Sequence, residues 1–302
     1  MSETVRKCRR PWLAGLLSLM GAPIGHVYCG RPQRAVAFWL TGMLVFPIVA
    51  FCWVTFRLGP IGFVTLTGLA IAFPFVQALD AMWIAWNAKD SLLGRFQRWW
   101  IYLVVFLIGY VSNIGNAMFV KTFIAEVFMV PTRAMAPTIQ PGDRIIVDKI
   151  WTRANSLKRR DVVVYQSVQD PSQLHVMRVL ALPGETIRIE GAKTFVDDNE
   201  INVPEAHTDG LTPPGFVSEQ LRASKESLIE PDSFFVVGDN RNMSYDSRFV
   251  GAIPNRNLHA TAVNILWSQP RLFPDPMDTT HYTLGPIEWT RLGRTLRSDL
   301  EL

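Results

Sequence analysis

Residues 35–56, AVAFWLTGMLVFPIVAFCWVTF, carry no charged side chain. Wound as a helix at 1.5 Å per residue, such a run reaches about 33 Å, enough to cross the hydrocarbon core of a bilayer. Two further stretches have the same character: residues 59–79, closed by Asp80, and residues 99–120. Pro47 and Pro74 fall inside these runs and would break soluble helices, but neighbouring helices in a bundle re-satisfy the carbonyls they free. Trp39, Trp53, Trp83, Trp86, Trp99 and Trp100 lie mostly near the ends of the runs, where interfacial aromatic belts sit. The pattern predicts three transmembrane helices within residues 35–120.

Residues 11–29 are also apolar, but Gly21, Pro23, Gly25 and His26 interrupt them. They read as interfacial or re-entrant, part of an N-terminal segment over residues 1–34. Basic residues decide between three spans and four. Arg6, Lys7, Arg9, Arg10, Arg31 and Arg34 flank this stretch, and Lys89, Arg95 and Arg98 lie between the second and third spans, against Arg57 alone between the first and second. Three spans put every basic cluster on the cytoplasmic face and deliver residues 121–302 to the exterior; four would divide the clusters between the faces. The apolar region is also far longer than the core of a cleaved secretory signal.

Cys8, Cys29 and Cys52 all precede residue 60, so the exported part cannot rest on disulfides. His175, His207, His259 and His281 show no short ligand spacing, and neither a metal nor another cofactor is expected. The net charge of +4 is largely accounted for by topology and does not call for nucleic acid as a partner.

From Asp143 onward the long apolar runs give way to short β-branched segments separated by turn residues. RIIVDKI (144–150), DVVVYQS (161–167), HVMRVLAL (175–182), ETIRIEG (185–191), KTFVDD (193–198), SFFVVGD (233–239) and TAVNILW (261–267) each read as a strand. Pro141-Gly142, Pro183-Gly184, Glu190-Gly191 and Asp197-Asp198-Asn199 supply turns. The expectation is N-terminal transmembrane helices followed by an antiparallel, all-β exported domain over residues 121–270. A polar stretch at 218–227 is the one helix candidate there. Pro213-Pro214-Gly215 marks a surface insertion, and Pro274, Pro276 and Pro286 predict an irregular tail over 271–302.

Three blocks in this domain carry a resemblance: VFMVPTRAMAPTIQPGD (127–143), HVMRVLALPGET (175–186) and GDNRNMSYDSRFVG (238–251). In this order they resemble the bacterial type I signal peptidase family over roughly residues 122–268, about half the chain. The resemblance implies a domain of two coiled antiparallel sheets seated against the membrane surface. It further implies a serine endopeptidase scaffold in the bacterial inner membrane, with the β domain facing the periplasm or exterior. Implied partners are signal peptides of exported preproteins and membrane lipid, with the secretion machinery or an active paralogue as further candidates.

Both reacting groups of that family are replaced. Its first block reads Pro-Ser-x-Ser-Met-x-Pro-Thr with the second Ser as nucleophile, and Ala134 stands in that place; its second block carries a Lys general base before an Arg, and Met177 precedes Arg178. A Ser hydroxyl deprotonated by a Lys amine requires the amine to be desolvated and neutral. Val176, Val179 and Leu180 fit such an apolar wall, and Met is an unbranched near-isostere of Lys. By the same resemblance Thr132 is the side-chain oxyanion donor beside the Ala134 N–H, Ser244 orients the base, and Asp246 with Arg248 forms a supporting ion pair. Arg178, Asp239, Asn240 and Arg241 shape the site, and Val130, Met135 and Pro137 contact substrate.

Taken alone, Pro137, Gly142, Pro183 and Gly184 would be turn residues, Asp246 and Arg248 a solvated strand face, Met177 core filler and His175 a strand histidine. His175 precedes Met177 by two residues and Thr132 precedes Ala134 by two, so a displaced Thr132/His175 dyad is a second reading if both pairs lie on strands. The expected function is engagement of signal peptides without cleavage. The alternatives are an active peptidase using the displaced pair, an inactivated form of an active parent, and a transport or sensing role centred on Asp80.

Overall fold

The computed structural model describes residues 10–20, 22–56, 60–87, 98–154, 157–190, 193–201, 203, 226–272 and 282–296. The chain forms two compact units, residues 1–124 and 125–302.

The first unit is helical: α1 (Pro11–Leu19), α2 (Ile24–Tyr28), α3 (Pro32–Phe56), α4 (Pro60–Asn87) and α5 (Trp99–Phe119), the last running into a π-helical turn, Val120–Ile124. Proline begins α1, α3 and α4, where its missing N–H would have had no partner and its fixed φ suits the helix. Pro47 and Pro74 are accommodated inside α3 and α4. Among the described residues three segments are long and apolar enough to cross a membrane: Pro32–Thr55, Val64–Asn87 and Trp99–Ile124. The stretch expected to be interfacial or re-entrant is α1 and α2, both too short to span. α1 and α2 pack closely because residue 25 is glycine. A Cβ there would lie 2.1 Å from the Ala14 carbonyl oxygen and 2.2 Å from Ser18 Oγ.

Asp80, read as closing the second apolar run, does not end the helix. α4 continues through Asp80 to Asn87, and the partly exposed Asp80 carboxylate pairs with Arg34 and lies 2.9 Å from His26 Nε2.

The second unit is an antiparallel β domain. Its largest sheet has seven strands in the order β1-β2-β11-β3-β4-β9-β10, from β1 (Ala125–Met129), β2 (Arg144–Asp148), β3 (Val162–Gln166), β4 (Leu174–Ala181), β9 (Ser233–Val237), β10 (Ile253–Pro254) and β11 (Leu258–Trp267). A four-stranded sheet runs β7-β6-β5-β8, from β5 (Thr186–Glu190), β6 (Lys193–Val196), β7 (Asn199–Ile201) and β8 (Ser227–Leu228). A ribbon of β12 (Arg271–Leu272) and β13 (Thr283–Leu284) completes the set. The described residues thus hold three sheets where two were expected, and "all-β" needs amending for α6 (Lys149–Ala154) and a helical turn at Ser247–Val250. One apolar core fills the large sheet and a second joins it to the four-stranded sheet, the latter through Leu180, Ile187, Ile229, Phe235 and Val237.

Every segment read as a strand contributes one, with shifted ends. RIIVDKI stops at Asp148, whose carboxylate accepts the Ile150 N–H at 2.9 Å and starts α6. β1 went unread because AEVFM is short and continues an apolar span. The tail expected to be irregular includes β12, β13 and a 3-10 turn, Trp289–Arg291; Arg291 pairs with buried Asp143, and Leu296 enters the large core. The insertion at 211–215 and the helix candidate over 218–225 lie outside the described residues, while Ser227 opens β8.

Candidate functional site

Strand register assembles the site. On β4, Arg178 pairs with Val162 of β3 on one side and with Val237 of β9 on the other, and Met177 lies opposite Val163. The chain leaves β9 at Gly238, directly before Asp239. A Cβ on residue 238 would sit 2.3 Å from Ser244 Cβ and 2.5 Å from the Ala134 carbonyl oxygen, so only glycine lets the turn carrying Ala134 and the segment carrying Ser244 meet there. The Asn240 N–H donates to the Ala134 carbonyl at 3.0 Å and fixes that turn. Ala134 and Met177 are 7% and 3% exposed and belong to one apolar cluster with Val130, Met135 and Val163.

Two ionic groups flank this cluster. The Arg178 guanidinium grips Asp239 with Nε to Oδ1 at 2.8 Å and Nη2 to Oδ2 at 2.7 Å, and its Nη1 donates to the Arg160 carbonyl. Such a bidentate, desolvated pair is geometrically demanding and rigid. In the second group Ser244 Oγ donates to Asp246 Oδ2 at 2.6 Å and accepts from Arg248 Nη2 at 2.9 Å. Arg248 Nε donates to Asp246 Oδ1 at 2.8 Å, and the Gly238 N–H reaches Asp246 Oδ2 at 3.0 Å. The solvated-strand reading of Asp246 and Arg248 is therefore corrected: Asp246 is fully buried and caps the helical turn Ser247–Val250. Arg241 sits beside both groups, its guanidinium pushed down to about 10 by burial first and by the neighbouring Arg248 charge second.

The other expected residues lie as follows. Thr132 is exposed on a bend, not a strand, so the shared-face premise behind a displaced dyad does not apply to it. His175 is on β4 beside Tyr165, ring centres 5.7 Å apart, and burial lowers its pKa. It lines a cavity of ≈ 160 Å³ with Tyr165, Ser167, Asp170 and Tyr245, a lining that does not include Thr132. No hydrogen bond joins Thr132 to His175 among the described residues. The Ala134 N–H has no acceptor among the described residues, as an oxyanion donor would require. Val130 and Met135 are core residues, 3% and 1% exposed, whereas Pro137 is exposed and lines a second cavity with Arg133, Gln140 and Asn240. Gly238 went unsingled in the sequence although it opens the GDNR block, and the Arg160 carbonyl, in a residue at φ 74°, gave no sequence signal at all. Among the described residues no cluster of His, Cys, Asp or Glu is arranged to hold a metal.

An antiparallel β domain after apolar helices, with the Ser244–Asp246–Arg248 segment meeting the turn at Ala134 across Gly238, defines the class. The chain belongs to the signal peptidase, peptidase S26, family, whose model matches residues 97–267. It is similar to a signal peptidase I of Leptolyngbya laminosa, 35% identical over 163 residues that cover 52% of this chain and 75% of that protein. It is also similar to a Staphylococcus aureus protein named inactive signal peptidase IA, 27% identical over 156 residues covering 52% of this chain and 87% of that one. A solved signal peptidase I from Enterococcus faecalis V583 aligns over 35% of this chain and 97% of its own, at 19% identity and a TM-score of 0.29.

Proposed function

We propose that this chain is a membrane-embedded member of the family that engages signal peptides of exported preproteins at the membrane surface and does not cleave them. The observation that carries the reading is the contrast at one spot. Ala134 and Met177 present only apolar atoms, while the groups around them, Ser244–Asp246–Arg248 and Arg178–Asp239, are fully made. No nucleophile and no base remain where the family chemistry needs them, but nothing in the scaffold has collapsed to match.

Binding does not need the dyad. β1 ends the seven-strand order, so its outer edge pairs with no strand among the described residues and is open to an added strand. Exposed Val127 and Met129 lie on that edge strand, and the S. aureus relative shows that a family member can carry the name inactive. In this reading residues 121–302 lie on the periplasmic or outer face of the bacterial inner membrane, next to lipid, held by three spans.

The test is to mix purified full-length protein with a labelled signal peptide bearing small residues before its cleavage site. Saturable binding with no product is expected, and a bulky Ala134→Trp change should weaken it. Absence of any saturable binding to such peptides would reject the reading, and product formation by the unmodified protein would reject its inactivity.

A further inference from the structure

The helical unit buries a set of polar atoms that the processing site does not use. His26 on α2 is fully buried, with its Nε2 2.9 Å from Asp80 Oδ2 on α4. The same carboxylate accepts Arg34 Nη1 from α3 at 3.0 and 3.3 Å. One carboxylate thus serves two basic side chains on two different helices. An ionised carboxylate only accepts, so the proton of a neutral His26 sits on Nε2 and Nδ1 is left as a bare lone pair. That Nδ1 is buried without a partner, as are Ser18 Oγ on α1 and Gln77 Nε2, one turn before Asp80 on α4. Ser18 Oγ is the atom that approaches Gly25, the residue next to His26. A buried polar atom with no partner is costly, so it marks a place where adding a partner is favourable.

We propose that His26 Nδ1 is a proton-binding site of the helical unit, and that proton uptake there transfers the Asp80 carboxylate from Arg34 to His26. The proton comes from solvent, and neutral imidazole becomes imidazolium. The new charge draws Asp80 and repels Arg34, whose side chain is half exposed and can turn to solvent. Nδ1–H then also becomes a donor. Acidification in this way loosens the α3–α4 tie and tightens the α2–α4 tie.

The groups facing His26 are few. α4 offers Asp80 and α3 offers Arg34, while α1 (Pro11–Leu19) and α5 (Trp99–Phe119) have no charged residue. Arg31 is exposed and meets His26 through its backbone N–H on the His26 carbonyl. The face of Phe38, 4.7 Å away, covers the ring. Burial holds the imidazole below its ordinary value; Asp80 pulls upward and Arg34 adds to the lowering.

The site is read by titrating full-length protein, labelled with 15N-histidine, in detergent micelles, with His26→Gln identifying its resonance. At neutral pH the label should report Nε2 protonated and Nδ1 bare, followed by a single step with a midpoint below the ordinary imidazole value of about 6.5. Arg34→Gln should raise that midpoint, and Asp80→Asn should lower it. Because the folded-state value is depressed, His26 contributes stability that is complete above the unfolded value and is lost as pH falls toward the folded one. The wild-type melting temperature should therefore drop more between neutral and mildly acid pH than that of His26→Gln. If Asp80→Asn does not fold, the wild-type tautomer and the Arg34→Gln shift still decide. A proton on Nδ1 at neutral pH, no His26 step above about pH 4, or a downward shift in Arg34→Gln would each overturn the proposal.

Discussion

At the scale of single residues, the proposed loss of function is a matter of one hydroxyl and one ammonium. Met177 is buried among Val162, Val163 and Val179, so a lysine in its place would be desolvated and its amine pKa depressed. A protonated amine cannot act as base, so activity should climb as pH rises through that depressed value, into the mildly alkaline range. Ala134→Ser with Met177→Lys is expected to cleave a preprotein at least ~100-fold faster than either single change, because nucleophile and base act as a unit. A folded but inert double variant would show that the oxyanion donors or the groove have moved as well. The flanking ion pairs make a separate prediction about stability. Asp239→Ala strands the buried Arg178 charge and should cost about 3–5 kcal/mol in chemical denaturation. Glu200→Ala removes a partner of Lys193 from an exposed pair and should cost less than about 1 kcal/mol. The sequence made Arg178, Asp239, Asp246 and Arg248 visible only as matches to family blocks. The Asp246–Arg248 pair came with that match, whereas the Arg178–Asp239 pair emerged only from the fold, since residues 61 positions apart in the chain leave no local signature.

Elements were more legible than contacts. Charge-free runs longer than a bilayer is thick and alternating β-branched segments are local patterns, and they gave the three long helices and the main strands. The misses share a cause: in each, a single side chain or a chain neighbour outweighed the pattern. Asp148 ends β2 by capping α6, and β1 hides at the end of an apolar helix. The tail is drawn onto the sheet by Arg291 at Asp143 and by an Asn264–Thr295 bridge, neither of which a proline-rich segment advertises. β1 is also where strand addition can be tested. Val127 is 45% exposed while its neighbours Glu126 and Phe128 are more covered, so Val127→Asp alters the exposed rim without entering the core. We expect that change to weaken signal-peptide binding about tenfold by adding a charge that must be desolvated, with a melting temperature close to wild type. An unchanged affinity would place the bound peptide elsewhere on the domain.

For the whole molecule, orientation follows from where charge can be stranded. Moving an arginine or lysine cluster through hydrocarbon is far costlier than leaving it behind, so basic loops stay on the side of synthesis. The basic residues before α3 and those between α4 and α5 can share that side only if an odd number of spans precedes residue 125. Three segments of spanning length meet that condition, and the short α1 and α2 do not add a fourth. The β domain should then lie outside, where its lack of cysteines makes it indifferent to the oxidising environment. A reporter active only when exported, joined after Leu302 so that the Arg291–Asp143 pair stays intact, is expected to be active in cells, and one placed before α3 inactive. Replacing the six arginines and lysines that flank α1 and α2 with glutamine removes the asymmetry and should yield a mixed population. Activity of the reporter on the cytoplasmic side with the charges intact would reject three spans, and with it a β domain able to meet signal peptides as they emerge.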